Sequence, residues 1–156
     1  MVHHLAAAWR AKNAPMSSDD PTWPRFCCVR LVDAHARWVF EQRPRDARNA
    51  AGKVTCLGGT REPGEHPDEC IRREIREELG RELTGLAVLT RLTRQGQPLA
   101  WFYGATLADP GPLTHLIPGH TLIFLEGPRW AELDLAPWHR AALHAIQDGR
   151  PEQSVD

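Results

Sequence analysis

Three observations on the sequence predict an α/β fold, with a sheet covered by helices. Short runs of β-branched, aromatic and other apolar residues, each of strand length, recur along the chain. Two other segments carry apolar residues at helical spacing, and each begins with a proline suited to the first helical position. The chain has 156 residues with ordinary apolar and charged fractions, which fits one globular domain with its own core.

The first half of the chain supplies a predicted hairpin and a short strand. FCCVRLV at residues 26–32 is an apolar run of strand length, and RWVFEQ at residues 37–42 follows after a turn-sized gap. Residues 43–53 form a polar loop rich in arginine. A short strand at residues 54–57 then leads into the pair Gly58-Gly59.

The second half supplies a helix, three strands and a closing helix. Pro67 stands where a helix can begin, and Gly80 stands where one can end through a left-handed residue. The closing segment, residues 137–146, is amphipathic and also begins with proline. Between these two helices we predict strands at residues 86–92, 99–107 and 121–125.

These elements predict one domain, residues 25–148, between a peripheral N-terminal extension at 1–24 and a flexible tail at 149–156. The four cysteines lack C-x-x-C spacing, so we expect buried free thiols, which suit a reducing cytoplasm. No apolar run reaches membrane length. The net charge of −1 argues against holding nucleic acid through bulk charge, but not against a small anionic ligand. We therefore expect a cytoplasmic protein without membrane or bulk nucleic-acid partners.

The predicted helix after Pro67 carries an unusual group of acids. At about 100° per residue, its apolar residues form one stripe, and Glu74, Glu77 and Glu78 fall within an adjoining arc of about 100°. Like charges at this spacing repel, and the helix C-terminus disfavours negative charge. Hard divalent cations such as Mg²⁺ do favour clustered carboxylates. The other interpretation of the helix alone is a solvated face of Arg–Glu pairs.

The residues that flank the helix complete a longer pattern. Residues 59–83 read GTREPGEHPDECIRREIREELGREL, which resembles the Nudix box, G-x5-E-x7-R-E-U-x-E-E-x-G-U, where U is bulky and apolar. Eight positions match, and chance would produce them on the order of once in 10⁹ starts. The last apolar position departs from the pattern and holds Arg81. The matching residues are Gly59, Glu65, Arg73, Glu74, Ile75, Glu77, Glu78 and Gly80.

The resemblance implies a fold, an activity and a cofactor. The Nudix fold is an α/β/α sandwich with a central mixed sheet and helices on both faces. The implied activity is hydrolysis of a diphosphate bond in a nucleotide-like substrate with Mg²⁺, for which Mn²⁺ is a substitute. The metal ligands would be Glu74, Glu78, Glu77 (directly or through water) and the backbone carbonyl of Gly59.

Further roles follow from the same resemblance. Arg73 would orient a glutamate by a forked contact, and Glu65 would support it. Family members differ in where the general base lies, and Glu126, just after the strand at 121–125, is the candidate here. His120 and Glu132 are weaker candidates for the base. Arg61 and Arg43 are candidates for contacts with substrate phosphates, although a solvated basic loop explains either one equally well.

The sequence is also compatible with three other functions. A catalytically silent Nudix-fold module that binds a nucleotide, an isomerase on the same scaffold and a helical interaction surface each fit part of the pattern. Nothing in the sequence selects one nucleotide, and a homodimer is neither required nor excluded.

Overall fold

The computed structural model describes residues 19–156, which form a mixed eight-stranded sheet covered by one helix on each face. A 3₁₀ turn at Trp130–Glu132 precedes the second helix. The helices are α1 (Pro67–Leu79) and α2 (Pro137–Gln147). The strands are β1 (Phe26–Val32), β2 (Arg37–Gln42), β3 (Val54–Thr55), β4 (Leu57–Thr60), β5 (Thr84–Arg94), β6 (Gln97–Thr106), β7 (Thr121–Glu126) and β8 (Glu152–Ser154).

Strand β1 lies at the centre of the sheet. The main order is β3-β2-β1-β6-β5-β8, while β4 pairs with β1 and β7 pairs with β2. β1 runs parallel to β6 but antiparallel to β2 and β4, so the sheet is mixed. The predicted hairpin and the three later strands are all present.

Alternation along β1 divides the core into two layers. Cys27, Val29 and Leu31 pack with the apolar stripe of α1 on one face. Cys28 packs with residues of α2 on the other face. Because successive side chains of a strand point to opposite faces, one buried strand serves both layers. The predicted arrangement of helices on both faces is confirmed.

Helix α1 begins and ends at the residues that the sequence indicates. The ring of His66 accepts a hydrogen bond from the backbone N–H of Asp68 (3.0 Å), and Pro67 is the first helical residue. Gly80 has a φ of 66° and donates its N–H to the carbonyl of Arg76. The acids of this helix therefore have fixed positions relative to the sheet.

The segment at residues 149–156, predicted as a flexible tail, contains a short strand in its middle part. Residues 152–154 form β8, which pairs in parallel with β5. The hydroxyl of Thr90 also donates to the carbonyl of Arg150 (2.9 Å). An edge strand gains its backbone hydrogen bonds without apolar side chains, so a polar sequence does not reveal it.

At the other end, residues 1–18 of the predicted extension lie outside the described residues, and Asp19 contacts the loop before α1. Its carboxylate binds Arg61 at 2.7 Å and accepts the N–H of Gly64 at 2.7 Å. Among residues 19–156, no helix is long and apolar enough to cross a membrane.

Candidate active site

The end of β4 and one side of α1 approach closely at Gly59. A Cβ built on Gly59 would overlap the carboxylate of Glu74. The residue pairs with Cys27 in the central strand, so the backbone has no room to withdraw. A glycine here allows the Glu74 carboxylate to lie directly against the strand.

Arg73 contacts three of the four residues of the acidic cluster, which consists of Glu65, Glu74, Glu77 and Glu78. Its Nε and Nη2 donate to the two oxygens of Glu65, at 2.7 and 3.0 Å, which is a forked contact. Its Nη1 donates to Glu74 at 3.1 Å and to Glu77 at 3.3 Å. The hydrogen bond from Arg73 is the main reason that the pKa of Glu65 lies below its usual range. One guanidinium therefore organises three of the carboxylates that match the box.

Glu78 differs from the other three acids of the acidic cluster in that it is buried. It is only 7% exposed, and its Oε2 has no hydrogen-bond partner among residues 19–156. Burial, followed by the nearby charges of Glu41 and Glu74, raises its pKa to about 9. The pKa of Glu74 is also raised, chiefly by burial. A buried carboxylate oxygen without a donor costs free energy unless a cation meets it, so this donor set fits a hard divalent ion.

Glu41 is a buried acid that sequence reasoning missed. It is 2% exposed on β2, and its carboxylate accepts hydrogen bonds from His115 (3.0 Å), His120 (2.9 Å) and Nη1 of Arg43 (2.9 Å). The ligand atoms of Glu41 and the two histidines lie within 4.8 Å of one another, a spacing at which they could hold a metal ion. The signal was present in RWVFEQ, where strict alternation puts Glu41 on the same buried face as Val39.

The two arginines proposed for phosphate contact lie in different surroundings. Arg43 lines a cavity of about 430 Å³ together with Gly59. Arg61 is instead occupied by Asp19 and by the carbonyls of Pro24, Glu62 and Glu65. The structure therefore brings Arg43, but not the guanidinium of Arg61, to an open cavity beside the acidic cluster.

Aromatic side chains of α2 form another part of the cavity wall. Trp138 and His139 both line it. His139 Nδ1 accepts the backbone N–H of Cys56 (3.1 Å). Burial lowers the pKa of His139 to about 3, so the ring is neutral near pH 7. No sequence pattern indicated a role for His139.

Two of the candidate bases lie away from the cluster. Glu126 pairs with Arg37, whereas Glu41 pairs with Leu122, so four strand residues, or about 13 Å, separate Glu126 from the level of Glu41. Glu132 is exposed and pairs with Arg129 (3.0 Å). His120, by contrast, contacts Glu41 directly. The structure thus brings His120, but not Glu126 or Glu132, into contact with Glu41, whose charge acts on Glu78.

Comparison with protein families matches residues 21–147 to the NUDIX domain. A search of curated proteins found no significant sequence match. The match begins near the first described residues and ends at the last residue of α2, so it covers both helices and seven of the eight strands.

Solved structures similar to the chain share its fold at low identity. A MutT Nudix hydrolase from Burkholderia pseudomallei has 22% identity and a TM-score of 0.57, with 78% of this chain and 97% of that chain covered. The mutator MutT protein from Bacillus halodurans has 19% identity and a TM-score of 0.61, with 85% and 88% covered. The NUDIX domain of Shewanella oneidensis NrtR, solved with ADP ribose, has 12% identity and a TM-score of 0.66, with 90% and 96% covered.

Proposed function

Because the chain belongs to the Nudix family, we propose that it is a Mg²⁺-dependent hydrolase of a diphosphate bond in a nucleotide derivative. The observation that carries the proposal is Glu78, a buried carboxylate beside Glu74 with one oxygen that has no hydrogen-bond partner in the described part of the chain. Such a group destabilises a protein that has no cation to bind, but it gives a hydrolase a strong, fixed ligand.

The proposed ligands are the carboxylates of Glu74, Glu77 and Glu78 and the carbonyl of Gly59. When bound, Mg²⁺, or Mn²⁺ in its place, lowers the pKa of a coordinated water and neutralises phosphate charge. Arg73 holds Glu74 and Glu77 at 3.1 and 3.3 Å, so their oxygens are oriented before any ligand arrives. Glu65 in turn fixes Arg73 by the forked contact.

The substrate is proposed to extend from the acidic cluster into the adjoining cavity. Gly59 belongs to both, and Arg43 lies in the cavity wall, where a guanidinium suits a phosphate. Trp138 offers an aromatic surface for a base. The Shewanella domain binds ADP ribose in its crystal, which supports a nucleotide-like ligand. Glu126 is not retained as the base, because of its separation from Glu41 along the strand.

Two further expectations concern the location and the oligomeric state of the protein. A cytoplasmic location agrees with four buried cysteines that form no disulfide. Formation of a homodimer would be measured by sedimentation of the purified protein.

The test is hydrolysis of a panel of nucleoside triphosphates, nucleoside diphosphates and ADP-ribose with Mg²⁺, with both products identified. We expect wild-type activity on at least one compound and a loss of 10²-fold or more in the double variant Glu74→Gln, Glu78→Gln. Titration calorimetry should show Mn²⁺ binding to the wild type and none to the double variant. Glu69→Gln is the matched control, because Glu69 lies exposed on the same helix.

Three contrary results would each contradict a different part of the proposal. Nucleotide binding without product release would indicate a silent binding module instead of an enzyme. Unchanged metal binding in the double variant would refute the ligand set. Equal losses in Glu69→Gln would show that the effect is general to the helix.

A further inference from the structure

Residues 115–120 lie against the C-terminal end of helix α1. The backbone N–H of Leu116 donates to the carbonyl of Glu78 at 2.7 Å. The side chains of His115 and His120 reach the carboxylate of Glu41, whose charge raises the pKa of Glu78. This segment and β2 therefore place two imidazoles beside the proposed metal ligands.

The hydrogen bonds of His115 fix its tautomer. Its Nδ1 accepts the backbone N–H of Ile117 (3.1 Å), so the proton of the neutral ring is on Nε2, which donates to Glu41 (3.0 Å). A metal at Nε2 would need the lone pair there and would force an N–H at Nδ1 against the N–H of Ile117. His115 therefore serves as a donor to Glu41, and the three side chains work as a hydrogen-bonded network.

The same reasoning assigns the protons of His120. A carboxylate only accepts, so His120 Nδ1 carries the proton that faces Glu41 Oε1 (2.9 Å). The neutral ring then has its lone pair on Nε2. No hydrogen bond joins that atom to any residue in 19–156, and the side chain is 15% exposed, so Nε2 is open to water. A carboxylate that holds an imidazole in this way fixes the tautomer and the orientation of the ring.

We propose that His120 is the general base of the reaction and that Glu41 is its positioning residue; this rests on the proposed function. The water oxygen forms a bond to phosphorus as its proton passes to His120 Nε2. The bond from phosphorus to the bridging oxygen breaks, and its electron pair leaves with the departing phosphate. Arg43 donates to the same oxygen of Glu41 as His120, at 2.9 Å, and so helps to fix the position of that carboxylate.

The test uses two variants that separate the base from its structural contact. In His120→Asn, the side-chain amide stands at the level of Nδ1 and can still donate to Glu41, but no atom replaces Nε2. We expect kcat to fall by about 10²-fold or more, while Mn²⁺ binding, KM and the melting temperature stay near those of the wild type. In His120→Ala, added imidazole should restore part of kcat. His144→Asn, on the opposite face of the sheet against Trp130, is the matched control.

Results that would contradict the role of His120 can be distinguished from results that would contradict the proposed function. Wild-type kcat in His120→Asn would overturn the assignment of the base and leave the hydrolase standing. A lowered melting temperature in His120→Asn, with no rescue of His120→Ala by imidazole, would show a structural role only. A wild type that hydrolyses no compound of the panel would remove both proposals.

Discussion

Glu78 and His139 are both buried titratable residues on helices, but they face opposite sides of the sheet. Their exposed fractions are 7% and 5%, and burial shifts each pKa toward the neutral form, to about 9 for Glu78 and about 3 for His139. His139 is satisfied there, because its Nδ1 accepts the N–H of Cys56. Glu78 keeps one oxygen for which residues 19–156 supply no hydrogen-bond partner. The two residues are equally buried, so it is their hydrogen bonding that distinguishes a completed core contact from a site that requires a cation.

The largest effect should come from removing the carboxyl group of Glu78. In Glu78→Leu, we expect turnover with saturating Mg²⁺ to fall on the order of 10³-fold, since a ligand that neutralises phosphate charge is lost. The melting temperature of the same variant in EDTA should rise, because the wild type buries an unpaired polar group there. Steady-state kinetics and calorimetry measure the two effects.

Glu69→Leu is the control for that prediction, since Glu69 is exposed on the first turn of the same helix. It should change neither property appreciably. A clear fall in the metal-free melting temperature of Glu78→Leu would mean that Glu78 is a satisfied structural group, like His139. The proposed difference between Glu78 and His139 would then be wrong.

The second prediction concerns the pH dependence of stability in the metal-free protein. The folded pKa of Glu78 is about 9, against 4.5 as the ordinary value, so the folded state holds a proton that the unfolded state has lost. The free energy of unfolding should therefore decrease as pH rises from about 4.5 toward 9, by several kcal/mol at most. Urea melts in EDTA should show this decrease, and Mg²⁺ should reduce it. Glu78→Leu should lack it; an identical slope in that variant would assign it elsewhere.

The third prediction is the opposite pH dependence on the other face of the sheet. His139 has a folded pKa of about 3 and an ordinary value of 6.5, so below pH 6.5 the unfolded state binds the extra proton. Stability should fall as pH drops, by roughly 2 kcal/mol between pH 6.5 and 5. His139→Asn can still accept the Cys56 N–H and should remove this loss, while Mg²⁺ should have no effect on it. A loss unchanged in the variant would contradict the buried, neutral state.

Local sequence patterns predicted helix α1 and its acids because capping, periodicity and the box all act within about 25 residues. What they missed depends on contacts between distant segments. Glu41 meets His115 and His120, which lie 74 and 79 positions away. Asp19 occupies Arg61 across 42 positions. No periodicity encodes such pairs, so the sequence indicated neither the contact of Asp19 with Arg61 nor the partners of Glu41, although alternation along β2 puts Glu41 on a buried face.

The smallest effect should come from Thr90, a fully buried hydroxyl that donates to the carbonyl of Arg150 at 2.9 Å. Like His139, it is a satisfied polar group, and its partner lies just before β8. Thr90→Val keeps the shape and removes the donor, so the free energy of unfolding should fall by about 1 kcal/mol. Hydrogen exchange of the β8 amides should accelerate, while turnover and Mn²⁺ binding stay unchanged. Unaltered hydrogen exchange would mean that backbone pairing with β5 alone holds residues 152–154. The Thr90 hydroxyl would then contribute little to the stability of β8.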